Sequence, residues 1–183
     1  MHPALLYVPG RRLTLAELSA ARLDGDVVEI GDAYIPADLI ESADVRASSI
    51  ADLVRPGTAA AGPTAAWIHG AGDAPPAVHH IRRSVPRRVR PQLSGRMIFH
   101  DGALSPSEVE SIGGIDVSTP LRTMLDLATG VHRDARLIAW IEHLARVDAV
   151  LVGESIACMQ QWNRVPGSRI GRAVLERLAL RTW

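Results

Sequence analysis

A chain of 183 residues with no formal net charge is long enough to bury a sizeable core, so it needs neither a metal nor a disulfide to hold it. Its single cysteine, Cys158, excludes an internal disulfide, and no stretch approaches the ~20 apolar residues that span a bilayer. The N-terminus lacks a basic start followed by a long apolar run, so no signal peptide is read and a cytoplasmic protein is expected.

Neutrality hides an uneven distribution. All 20 basic residues are arginine. Residues 13–53 hold nine acids against only Arg22 and Arg46, whereas residues 78–98 hold six arginines and no acid. An acidic head therefore precedes a basic middle.

Residues 1–12 form a short extended lead. Thr14 with Glu17 three positions on is a capping box, opening a helix with Leu15, Leu18 and Leu23 on its apolar side and Asp24-Gly25 at its end. Val27–Ile30 and Ala33–Ile35 flank Gly31-Asp32, the pattern of a tight hairpin. Helix then hairpin is the second half of a winged helix. Ser42–Asp44 and a helix over Arg46–Val54 lead to the main domain, past the punctuation of Pro56-Gly57 and Gly62-Pro63. Thr64–His69 reads as a short helix, Val78–Arg82 as a strand, and Arg96–His100 as its antiparallel neighbour. The segment between them, SVPRRVRPQLSG, is too polar for a strand. A second capping box, Ser105-Pro106-Ser107-Glu108, predicts a short helix to about Ser111.

The main domain is centred on Gly113–Gly130, GGIDVSTPLRTMLDLATG. Ile115 and Val117 flank Asp116 in a short strand, and Thr119-Pro120 starts a helix by capping an orphan amide and removing another. Leu121, Met124, Leu125 and Ala128 share its inner face, Arg122 and Asp126 can pair one turn apart, and Gly130 is expected to close it in a left-handed turn. Three further helical stripes follow: Leu137, Trp140, Ile141 and Leu144; Ile156, Met159 and Trp162 after Gly153; and Ile170, Val174, Leu175 and Leu178 after Pro166-Gly167. Such stripes are core faces.

Catalytic chemistry finds little support. His69, His79, His80 and His100 fall in the small sheet near Asp73 and Asp101, but His79 and His80 point to opposite sides of one strand. No metal-ligand spacing lies on a predicted helix. His100-Asp101 lacks any nucleophile elbow, and GGIDVST lacks the lysine and third glycine of a nucleotide loop. No catalytic, cofactor or metal residue is assigned, and the chain is read as a non-enzyme.

The strongest functional signal is the group Arg82, Arg83, Arg87, Arg88, Arg90 and Arg96. Projected from one hairpin, these guanidinium groups make a patch for phosphate or for an acidic protein surface. The structural alternative is pairing with the acidic head. Phe99 is the only aromatic residue nearby, which disfavours single-strand RNA.

IDVSTPLRTMLDLA resembles the strand–helix motif of the AbiEi-family antitoxin C-terminal domain, from type IV toxin–antitoxin systems. AAWIHGAGDAPPAVHHIRRS and FHDGALSPSEVESIGGIDVSTP resemble the family's other blocks in order and spacing. LTLAELSAARLDGDVVEIGDAYIPAD resembles the N-terminal module of actinobacterial members, here truncated and acidic where a DNA-binding winged helix is expected to be basic.

The resemblance implies an α+β fold with a reduced winged-helix-like module over residues 1–45. A C-terminal antitoxin domain follows over 46–183, a small mostly antiparallel sheet packed with helices and a helical end. It implies neutralisation of a nucleotidyltransferase-like toxin and autorepression of the promoter, with toxin and duplex DNA as partners, no cofactor and no membrane. A stand-alone nucleic-acid-binding regulator is the alternative. Related chains continue into a Vsr-like endonuclease; with no lysine and an end at Trp183, no nuclease is expected here. Oligomeric state is left open.

Overall fold

The computed structural model describes residues 5–90, 95–162 and 164–181. It is an α+β fold with seven helices among those residues, a two-stranded hairpin and a five-stranded mixed sheet.

In the head, α1 (Leu15–Asp24) is capped by the Thr14–Glu17 box and stopped by Gly25 in the left-handed region. β1 (Val27–Ile30) and β2 (Ala33–Pro36) pair antiparallel across Gly31-Asp32. Tyr7 of the lead adds a bridge to Tyr34, exchanging backbone bonds of 2.8 and 2.9 Å. Only Leu18 of α1 is buried, however, against Val27 and Tyr34. Leu15 is 59% and Leu23 81% exposed, so two of the three expected inward residues face solvent. Among the described residues the helix packs through Leu18 on the hairpin, with Tyr7 and Leu13 of the lead beside it.

α2 (Ala43–Ser49) ends at Ile50 and hands over to a 3₁₀ turn at Ala51–Leu53. β3 (Thr58–Ala60), α3 (Gly62–Ile68), β4 (His79–Arg83) and β5 (Met97–His100) follow, then β6 (Val109–Ile112) and β7 (Ile115–Ser118). The sheet order is β5-β4-β3-β7-β6. Counting the head hairpin, three ladders are antiparallel and two parallel.

Two local expectations fail here. β5 runs parallel to β4, His80 opposite Ile98 and Arg82 opposite His100. An antiparallel neighbour needs only a short turn, whereas the connection over residues 84–96 is long enough to return the chain to the sheet's starting side. The helix expected to reach Ser111 stops as one 3₁₀ turn at Pro106–Glu108, and Val109–Ile112 becomes a strand. Ile112 pairs with Ile115 around Gly113-Gly114, the two-residue loop of a hairpin.

That loop is also anchored from outside. The Gly113 amide donates to Asp44 Oδ1 at 3.0 Å, and Ser48 Oγ donates to the Gly113 carbonyl at 3.0 Å. A Cβ on Gly113 would lie 2.5 Å from the Asp44 carbonyl oxygen, and its φ of +57° already disfavours any side chain.

α4 (Pro120–Gly130) starts on Thr119, whose hydroxyl accepts from the Arg122 amide. Gly130 does not cap it; the helix continues into Val131 with right-handed geometry. A Cβ at Gly130 would meet Leu137 at 2.5 Å, so glycine serves here to let α5 approach. α5 (Leu137–Val147), α6 (Val150–Gln160) and α7 (Ser168–Ala179) complete the chain. α6 begins before Gly153, which sits exposed inside it, and Trp162 lies past its end. On α7 Leu175 and Leu178 are buried, but Ile170 is 51% exposed.

Two cores meet at α3. Met124, Leu127, Ile141, Leu144, Leu151 and Leu175 form a helical core that includes Ala66 of α3. Trp67 and Ala65 of the same helix join Ile35, Val45, Ile50, Ile81 and Val117 in a second core, which ties the head hairpin to the sheet.

Candidate docking surface

β4 and the loop after it place the arginines. Alternation along the strand puts His79, Ile81 and Arg83 on one face and His80 and Arg82 on the other. Arg82 is not free: its Nη1 donates to both Asp126 carboxylate oxygens at 2.7 and 2.8 Å, and its Nε donates to the Gly102 carbonyl at 2.7 Å. Asp126 also receives Arg122, which reaches Glu108 at 3.2 Å, so two arginines and two acids form a chain from β4 across α4. The expected Arg122–Asp126 pair is thus present with two added members, Arg82 and Glu108.

Arg83 is spent on Asp101, at 3.3 Å to the carboxylate and 2.9 Å to the carbonyl, and on the Pro86 carbonyl. Arg96 pairs with Asp32 at the tip of the head hairpin. Half of the arginine group is therefore bound to the protein's own acids and carbonyls, but only Arg96 pairs with the acidic head that the structural alternative named.

Arg87, Arg88 and Arg90 are different. All three are exposed, and none makes a hydrogen bond or ion pair among the described residues. Their loop is rooted nonetheless. Ser84 donates its amide to the Gly57 carbonyl at 2.9 Å and its hydroxyl to Asp116 at 3.2 Å. Val85 and Val89 pack over Gly57, where a Cβ would stand 3.1 Å from Val85. Residues 91–94, the remainder of the expected loop, lie outside the described residues.

The histidines separate. His69 Nε2 donates to the Ser118 carbonyl at 2.8 Å, and buried His79 faces Thr64 at 3.4 Å. His80 and His100, from neighbouring strands, come together with Nδ1 and Nε2 3.1 Å apart. No group of three or more metal-ligating side chains gathers among the described residues. Burial holds all four imidazoles below their usual range, His80 at about 4 with His100 and His79 adding to the effect and Asp134 opposing it.

The sign of the linkage follows. A depressed imidazole pKa means the unfolded chain binds protons that the folded chain refuses. This stability is present above about pH 6.5 and is lost as pH falls from there through the folded values. After solvent screening, His80 alone is expected to contribute roughly 1–2 kcal/mol. Urea midpoints should therefore drop steadily between pH 7 and 5, and a flat profile would contradict the burial of these rings.

A profile of the AbiEi antitoxin C-terminal domain matches residues 58–161, more than half of the chain. The chain belongs to the AbiEi antitoxin family. That membership places it among the antitoxins of toxin–antitoxin systems. A search of curated proteins finds no significant match. The AbiEi match runs from the first residue of β3 to just beyond α6, so it contains the whole arginine loop, the chain of ion pairs and the Thr119-Pro120 helix. The head and α7 fall outside it, although Gly171 of α7 seats against Ala128 inside it. No helix among the described residues is long and apolar enough to cross a membrane.

Sequence reasoning treated six arginines as one patch. It missed Asp126, 44 positions from Arg82, which no local pattern could have shown; Asp32, 64 positions from Arg96, belongs to the acidic head that the structural alternative named. It also passed over Arg46, which is almost fully buried.

Proposed function

We propose that this antitoxin neutralises a nucleotidyltransferase-like toxin, and that Arg87, Arg88 and Arg90 make the central contact with an acidic surface on it. The observation that supports this is the division of the arginines. Three are consumed by internal acids and carbonyls, while three are exposed and have no partner among the described residues, on a loop within the family domain that Ser84, Val85 and Val89 root. A rooted loop loses little entropy on docking, and guanidinium forks pair bidentately with carboxylates. The role is that of a binding regulator, with no bond-making step assigned to any residue.

Promoter autoregulation belongs to the same proposal as a second use of the loop. The head gives it weak support: α1 exposes Leu15, Leu23, Glu17 and Asp24, with Arg22 as its only base. Phosphate contacts would then fall to the loop arginines.

The test is the triple variant R87E/R88E/R90E, measured against the product of an adjacent nucleotidyltransferase gene and, separately, against promoter duplex. Toxin affinity is expected to fall at least a hundredfold, with the unfolding free energy from urea titration changed by less than about 0.5 kcal/mol. Loss of duplex binding alone, with a steep salt dependence in the parent chain, would instead favour the regulator reading. Unchanged affinity for both would remove the loop from either role.

A further inference from the structure

We propose that His80 and His100 form an open two-histidine site for a borderline transition-metal cation, Zn²⁺ or Co²⁺ being its chemical class. The parallel register of β4 and β5 puts Arg82 opposite His100, so His80 and His100 are diagonal neighbours on one face of the sheet. Their ring centroids lie 5.2 Å apart with planes tilted by 32°, and His100 Nε2 stands 3.1 Å from His80 Nδ1. Two nitrogens that far apart, each about 2.1 Å from a shared ion, subtend close to 95° there, within the range such ions accept. The hydrogen bond now joining the rings points one N–H at the other's lone pair. Chelation needs both lone pairs to converge beside that line, so the proposed site requires the exposed His100 ring to turn.

Gly62 lies beside the pair: a Cβ there would stand 3.5 Å from His80 Nδ1, an ordinary contact. The surrounding charges nearly balance: Asp134 and Asp126 favour a cation, Arg82 and Arg133 oppose it, and Arg82 is already committed to Asp126. Imidazole ligands select Zn²⁺, Co²⁺ or Ni²⁺ over Mg²⁺ and Ca²⁺, which require oxygen. Neutral imidazole is the form that ligates such a cation. Two protein ligands leave the remaining positions to water. The site lies outside the proposed toxin contact and does not depend on it.

Titration of the full chain with Zn²⁺ at pH 7.5 by calorimetry, and with Co²⁺ by its visible bands, tests this. One saturable equivalent is expected, with His80→Ala and His100→Ala each weakening it at least tenfold and His132→Ala leaving it unchanged. Circular dichroism of each variant establishes that the fold is retained. Absence of a saturable equivalent, or binding that survives loss of both His80 and His100, overturns the site.

Discussion

Gly171→Ala is expected to lower the stability of the chain by about 3 kcal/mol, although it places a better helix former in the interior of α7. The gain from propensity is about 1 kcal/mol, and it is outweighed where the helices cross. A Cβ at position 171 would stand 2.4 Å from the Ala128 carbonyl oxygen and 2.6 Å from its carbon. These are backbone atoms of α4, which cannot rotate aside. α7 would have to lift, drawing Leu175 and Leu178 out of the core they share with Met124 and Leu127. Urea unfolding of the variant gives the answer directly. An equal or higher midpoint would mean that α7 does not seat on α4. The same experiment bears on extent: a large loss would show that the folded unit runs past residue 161, where the family match ends.

Arg46→Ala carries the second large effect, about 3–4 kcal/mol of destabilisation. Arg46 is 9% exposed, donates through Nη1 to the carbonyls of Trp67 and Gly72, and pairs through Nε with Glu41. Its guanidinium carbon also lies 5.4 Å from the centre of the Trp67 ring. Truncation takes one donor from the Trp67 carbonyl, which keeps the Gly70 amide, removes the arginine from the Gly72 carbonyl and the Glu41 carboxylate, and opens a gap beside the largest fully buried side chain in the second core. Arg46→Met separates the contributions, since it restores the stem's volume without the donors. Recovery of less than half the loss in that variant is expected. Full recovery would show that packing alone, and not the hydrogen bonds, holds α2 to α3.

Much of this chain was readable where one turn or one strand decides the matter. The Thr14–Glu17 box, the Gly31-Asp32 hairpin, the Thr119-Pro120 start and the inner faces of α4 and α5 are local features, governed by capping and by the spacing of apolar residues. The misreadings occurred where a local signal met a tertiary one. Ser105–Glu108 caps a turn correctly, but the edge of β7 then claims Val109–Ile112 as a strand. Leu15 and Leu23 have helical spacing with Leu18, yet no described residue packs over α1 to bury them. Gly130 looked like a stop signal and is instead a point of close approach.

The arginines show the same division. By itself the sequence determined the family's blocks, the α+β class, the charge asymmetry and which residues could carry positive charge to a partner, because composition and short-range pattern fix these. Only the tertiary structure decided that Arg82, Arg83 and Arg96 are spent internally while Arg87, Arg88 and Arg90 have no partner among the described residues, and that His80 meets His100. A charge's availability depends on which distant carboxylate the fold delivers to it. That is settled by strand order and register, here by a parallel β5 and by α4 lying across β4, and neither is written in any short stretch of the chain.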